Sequence, residues 1–91
     1  MYKVLIFDIK DSRKISNRED LQKTLITLIK ECNRIFKEYI LSPFCITCGD
    51  EWEGLLTINS PHLEIQRFFK NALPSNINFY FGIGIGDRKS T

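Results

Sequence analysis

The feature that most narrows the fold is a hydrophobic period that switches between two and about 3.6 residues along the chain. Tyr2–Ile9 is apolar on both sides, with Tyr2, Val4 and Ile6 on one and Leu5, Phe7 and Ile9 on the other. That is the pattern of a central strand covered on both faces. Leu21, Leu25, Leu28, Ile29, Cys32, Phe36 and Tyr39 then recur at helical spacing, opposite a face of Lys, Glu, Thr and Arg. They predict an amphipathic helix over residues 18–40. Ser16 with Glu19 has the form of a capping box at its start, and Asn17 is a rival N-cap.

Pro43 bars the helix from continuing. Phe44–Cys48 reads as a strand, Gly49-Asp50 as a tight turn and Glu51–Thr57 as the returning strand. Ser60-Pro61 is an N-cap followed by proline at the first helical position, and Pro74 ends that shorter helix. Ile77–Gly86 is the last strand, with Phe79, Phe81, Ile83 and Ile85 on one side and Tyr80, Gly82, Gly84 and Gly86 on the other. The order β-α-β-β-α-β predicts an α+β fold, a ferredoxin-like sandwich: a four-stranded antiparallel sheet with both helices on one face. These elements use residues 1–91 as a single domain, with no linker or repeat.

In a sandwich of this order the third strand lies between the first and second, which run parallel. The end of the first strand and the hairpin then share one edge. Asp8 closes the first strand and Asp50 sits in the hairpin, so two carboxylates distant in sequence are expected to converge. Like charges that close repel, and a divalent cation relieves the repulsion. Mg²⁺ or Mn²⁺ suits such an edge, taking one or two carboxylates and completing its shell with water and phosphate oxygens. Ser12, Arg13 and Lys14 follow Asp8 and lead into a helix N-terminus, an arrangement that can cradle phosphates. The expected ligand is a nucleoside triphosphate. The bare sequence leaves a second account open, in which Asp8 caps a loop and Asp50 only forms a turn. The two differ in one consequence. Were Asp50 half of a repelling pair, Asp50→Asn would leave the metal-free protein as stable as before, or more so.

The residues Phe7-Asp8-Ile9, the run Asp8-Ile9-Lys10-Asp11-Ser12, the hairpin Cys48-Gly49-Asp50-Glu51-Trp52 continuing into Gly54-Leu55-Leu56, and Phe81-Gly82-Ile83-Gly84-Ile85-Gly86 resemble the SatD family of bacterial proteins. The resemblance runs from about Tyr2 to Thr91. More distantly, the arrangement is similar to the palm-type nucleotidyl cyclases, the class III cyclases and the GGDEF domains. Those hold metal ions and a nucleoside triphosphate with an Asp ending the first strand and an acidic residue in the hairpin. The likeness implies Asp8 and Asp50 as metal ligands, with Glu51 matching the acidic residue that follows in the GGDEF signature. Cys48 departs from that signature's first glycine. SatD-like proteins continue further, into a region resembling a helix-turn-helix, so the resemblance implies that this chain corresponds to their N-terminal part. It brings with it no catalytic residue. The cyclases place transition-state residues beyond the last strand and commonly work as dimers, so a homodimer is a further expectation.

Other features narrow the function classes. Thirteen Lys and Arg against eleven acidic residues give a net charge of +2, too balanced to point to nucleic acid, and the basic residues are scattered. Apolar runs such as Val4–Phe7 fall far short of the ~20 residues that span a bilayer. A charge at Asp8 comes too early for a signal-peptide core, and three cysteines at irregular spacing are not a secreted disulfide framework. A cytoplasmic protein is expected. Cys45 and Cys48, three apart on one strand, should point to opposite faces as free thiols rather than share zinc. The alternating glycines Gly82, Gly84 and Gly86 mark a closely packed helix, a bend in the strand or a close ligand. Two functions compete: a domain that binds a divalent metal and a nucleoside triphosphate, and a non-catalytic regulatory or dimerisation domain with a vestigial acidic edge.

Overall fold

In the computed structural model, which describes residues 1–87, the chain forms β1 (Tyr2–Ile9), α1 (Arg18–Ile35), β2 (Ile40–Cys48), β3 (Glu51–Thr57), α2 (His62–Ala72) and β4 (Phe79–Gly86). Short 3-10 turns at Ser12–Lys14 and Lys37–Tyr39 join β1 to α1 and α1 to β2. The four strands make one sheet in the order β2-β3-β1-β4, with every neighbouring pair antiparallel. The fold is therefore α+β, and the third strand does lie between the first two.

Alternation in β1 decides what the sheet covers. Leu5, Phe7 and Ile9 are buried, whereas Ile6 and Asp8 are exposed. In register, Phe7 sits between Trp52 of β3 and Phe81 of β4, and Leu5 between Gly54 and Ile83. This face joins Leu21, Leu25, Ile29 and Cys32 of α1 and Ile65 and Phe69 of α2 in one core. Phe7 is its centre: Trp52 stacks on it at 5.1 Å between ring centroids, and Phe69 and Phe81 tilt against it at 5.0 and 4.8 Å. Trp52 is thus a core residue and does not line a surface pocket. Gly54 leaves the space that the ring of Phe44 fills, because a Cβ there would come within 2.8 Å of it.

Among the described residues, no helix covers the opposite face. It presents Val4, Ile6, Asp8, Glu51, Glu53, Leu55 and Tyr80, all at least partly accessible. The double covering expected for β1 is therefore not found there. The glycine row of β4 lies on this open face: a Cβ added at Gly82 would meet nothing within 4 Å, and one at Gly84 only the Val4 side chain at 3.9 Å. Neither α1 nor α2 packs on these two glycines.

Several boundaries differ from expectation. α1 ends at Ile35, and the stretch to Tyr39 is carried by the tighter 3-10 turn. Its N-cap is Asn17, whose side chain bonds Asp20, and Ser16 takes no part in capping. β2 begins at Ile40 and runs through Pro43, which is compatible with its place at the sheet edge. α2 begins at His62, after Pro61 in the capping position. The Ser60 hydroxyl finds no partner among the described residues, while its carbonyl accepts from Lys3 Nζ at 2.7 Å. That buried ammonium also lies 2.9 Å from His62 Nδ1, tying the start of β1 to the start of α2.

Candidate functional site

The end of β1 and the β2–β3 turn meet as expected. Asp8 stands opposite Glu51 in the β1–β3 ladder, and the Ile9 N–H donates to the Asp50 carbonyl at 3.2 Å. Gly49 makes the turn possible, because its φ of +57° lies in the left-handed region that glycine enters without strain.

The three predicted carboxylates do not face one point. Asp8 falls between the buried Phe7 and Ile9, so its side chain is on the open face. Glu51 is its cross-strand neighbour there, and accepts from the Thr47 hydroxyl at 2.9 Å. Asp50 turns the other way. Its side chain is only 4% exposed, and its Oδ2 accepts from Nη2 of Arg18, the first residue of α1, at 3.3 Å. The repulsion expected between Asp8 and Asp50 is replaced by attraction between Asp50 and Arg18. Among the described residues, no group of three or more His, Cys, Asp or Glu side chains is placed to hold a metal ion. Asp8 and Glu51 remain as a cross-strand pair on one face.

The loop after Asp8 divides its predicted residues. The N–H groups of Lys14 and Ile15 bond within their own turn, to the carbonyls of Asp11 and Ser12. They are not free to cradle a phosphate. Lys14 lines a cavity of about 270 Å³ together with Lys10, Ser16, Asn76 and Asn78, and Ser12 and Arg13 do not line it. Lys10 has no distinguishing mark in the sequence. Its N–H bonds the Asn78 carbonyl at 2.8 Å, and its ammonium lies 4.7 Å from the centre of the Tyr80 ring. Tyr80 is the register partner of Asp8 on β4. One end of the open face therefore presents the row Glu51, Asp8 and Tyr80, with Lys10 over the aromatic ring.

Cys45 and Cys48 are free and exposed. Their expected opposition across the strand fails, because β2 shifts register between Ile46 and Cys48. Cys45 stands opposite Glu53 and Cys48 opposite Glu51, two residues of the same face. Cys32 is buried in the core, and loss of solvent pushes its thiol up to about 12.

Together these observations describe a small α+β domain with an open sheet face and an acidic pair at one end of it. The SatD family model matches residues 2–90, and the chain belongs to the SatD family. No curated protein matches the sequence. No helix among the described residues is long and apolar enough to cross a membrane.

Proposed function

We propose that this SatD-family domain is a ferredoxin-like, palm-type sandwich that binds a divalent cation and the phosphates of a nucleoside triphosphate at the Asp8 end of its open face. The observation that carries the reading is the register of Asp8 against Glu51. Two carboxylates directly opposed in an antiparallel ladder destabilise it unless a cation is shared between them. Asp8 and Glu51 would hold Mg²⁺ or Mn²⁺, and the ion would supply charge neutralisation for phosphate oxygens. Asp50 does not belong to this donor set; it orients the hairpin against Arg18. Lys10, two residues past Asp8 and so about 7 Å along at the usual strand rise, and Lys14 in the turn that follows offer charge to the distal phosphates. The Tyr80 ring offers an apolar surface beside the same row.

The test is thermal unfolding with Mg²⁺ or Mn²⁺ and with ATP or GTP. At a hundred times its dissociation constant a ligand should stabilise the fold by about 2.7 kcal/mol, roughly 10–20 °C for a domain of this size. Asp8→Asn and Glu51→Gln should each abolish the metal-dependent part, and Asp50→Asn should not. A wild type indifferent to every metal and nucleotide would sink the reading.

A second reading is favoured by the Arg18–Asp50 pair. With the hairpin carboxylate already engaged by the protein's own cation, the acidic edge is vestigial and the domain acts by regulation or association alone. It predicts no response to metal or nucleotide.

A further inference from the structure

The two edges of the sheet are built differently. β2 carries Pro43 and three register irregularities against β3, between Ile40 and Ser42, Ser42 and Cys45, and Ile46 and Cys48. Proline and bulges are the devices by which an edge strand avoids pairing with another chain. β4, at the other edge, has none of them. Its eight residues, Phe-Tyr-Phe-Gly-Ile-Gly-Ile-Gly, hold no proline and no charge, and they pair with β1 in unbroken register from Phe79 to Gly86. The outer side of β4 is a regular strand edge with no neighbour among the described residues.

The side chains along that edge are also unfinished. Ile83 and Ile85 align with Leu5 and Lys3 on the face that packs under the helices, yet they are 43% and 57% exposed. The helical layer stops short of them. A strand added beside β4 would cover both, provided it carried apolar residues on the helix side and small residues on the open side.

We propose that the occupant is β4 of a second copy, paired antiparallel about a two-fold axis to give a continuous eight-stranded sheet. The sequence of β4 is self-complementary in that arrangement. An axis through Ile83 sets Ile83 against its own mate and Ile85 against Phe81. An axis through Gly84 sets Ile83 against Ile85. In both registers the isoleucines meet apolar residues on the helix side and glycines meet glycines or aromatics on the other, because directly opposed residues share a face; only at the strand ends does a charge, Asp87, fall opposite Phe79 or Phe81. The helices of both copies then lie on the same side. The interface is isologous and closes at two copies. It does not depend on whether the acidic end binds a metal.

Sedimentation analysis of this chain from micromolar to millimolar concentration tests the proposal. The wild type is expected to sediment as a dimer. Ile83→Lys with Ile85→Lys, both at exposed positions, should keep the far-UV circular dichroism and raise the dimer dissociation constant roughly tenfold or more, since each copy loses two buried apolar contacts. Hydrogen exchange of the wild type gives a reading that needs no variant: the β4 amides should become slower as concentration rises. A wild type that is monomeric at every concentration overturns the proposal. So does β4 exchange that ignores concentration, or a folded double variant that dimerises as well as the parent.

Discussion

Removing the guanidinium of Arg18 is expected to weaken the domain more than removing the charge of Asp50, although Arg18 is the more exposed partner. The asymmetry follows from where the two side chains lie. The Asp50 side chain is 4% exposed and that of Arg18 is 54% exposed. Arg18→Ala leaves a nearly buried carboxylate without its cation, and an unsatisfied buried acceptor costs about 1–3 kcal/mol. Asp50→Asn leaves Arg18 largely in water, and the new amide oxygen still accepts a hydrogen bond. Its loss is that of a partly screened ion pair, about 0.5–1 kcal/mol. The Ile9–Asp50 backbone bond survives both changes. Urea unfolding of wild type, both single variants and the double variant closes the cycle. In the double variant the neutral amide that replaces the carboxylate no longer needs a cation, so the combined loss should be smaller than the sum. Thermal midpoints should fall by about 4–8 °C for each kcal/mol. An Asp50→Asn protein more stable than wild type would refute the reasoning. It would mean that the dominant neighbour of Asp50 is acidic, as the sequence suggested, and that the hairpin turns its carboxylate toward Asp8.

Gly54→Ala should destabilise by about 1–3 kcal/mol, because its Cβ would strike the buried Phe44 ring, whereas Gly82→Ala, with nothing within 4 Å, should be neutral or stabilising; chemical denaturation separates them. A thiol reagent at mildly alkaline pH should label Cys45 and Cys48 quickly and Cys32 only on unfolding. The Cys32 thiol rises from an ordinary 9.0 to about 12 in the fold. Unfolding therefore releases its proton in that window, and stability should decline as pH climbs from 9.0 towards 12, a decline that Cys32→Ala should flatten.

The order of elements was legible because each period is long and sharply punctuated. The end of α1 was not. Phe36 at the C-cap and Tyr39 in the 3-10 turn still pack against the core, and a spacing of three satisfies either helix type. The start of β2 was hidden by Pro43, which only an edge strand tolerates, and edge position belongs to the sheet and not to the segment. The meeting of Asp8 with the hairpin followed from topology. The direction of Asp50 did not, since it depends on how the turn at Gly49 delivers the next side chain and on Arg18 waiting at α1. A register shift likewise undid the alternation expected of Cys45 and Cys48. Tyr80 and Lys10 gave no signal at all, because an exposed tyrosine and a loop lysine carry no spacing that marks them.

β1 precedes the other three described strands in chain order and yet pairs with the last of them. Residues 2–9 are flanked by β3 on one side and by β4, some seventy residues on, along the other. During synthesis this segment, which carries Phe7, keeps one edge unpaired until β4 has emerged. Contacts so distant in sequence slow the search for the native state and lengthen the time for which an apolar strand is open to the wrong neighbour. Nascent chains ending before Phe79 should hold β1 against β3 alone, with one edge of their central strand bare. Such intermediates are the ones a holding chaperone would be expected to capture.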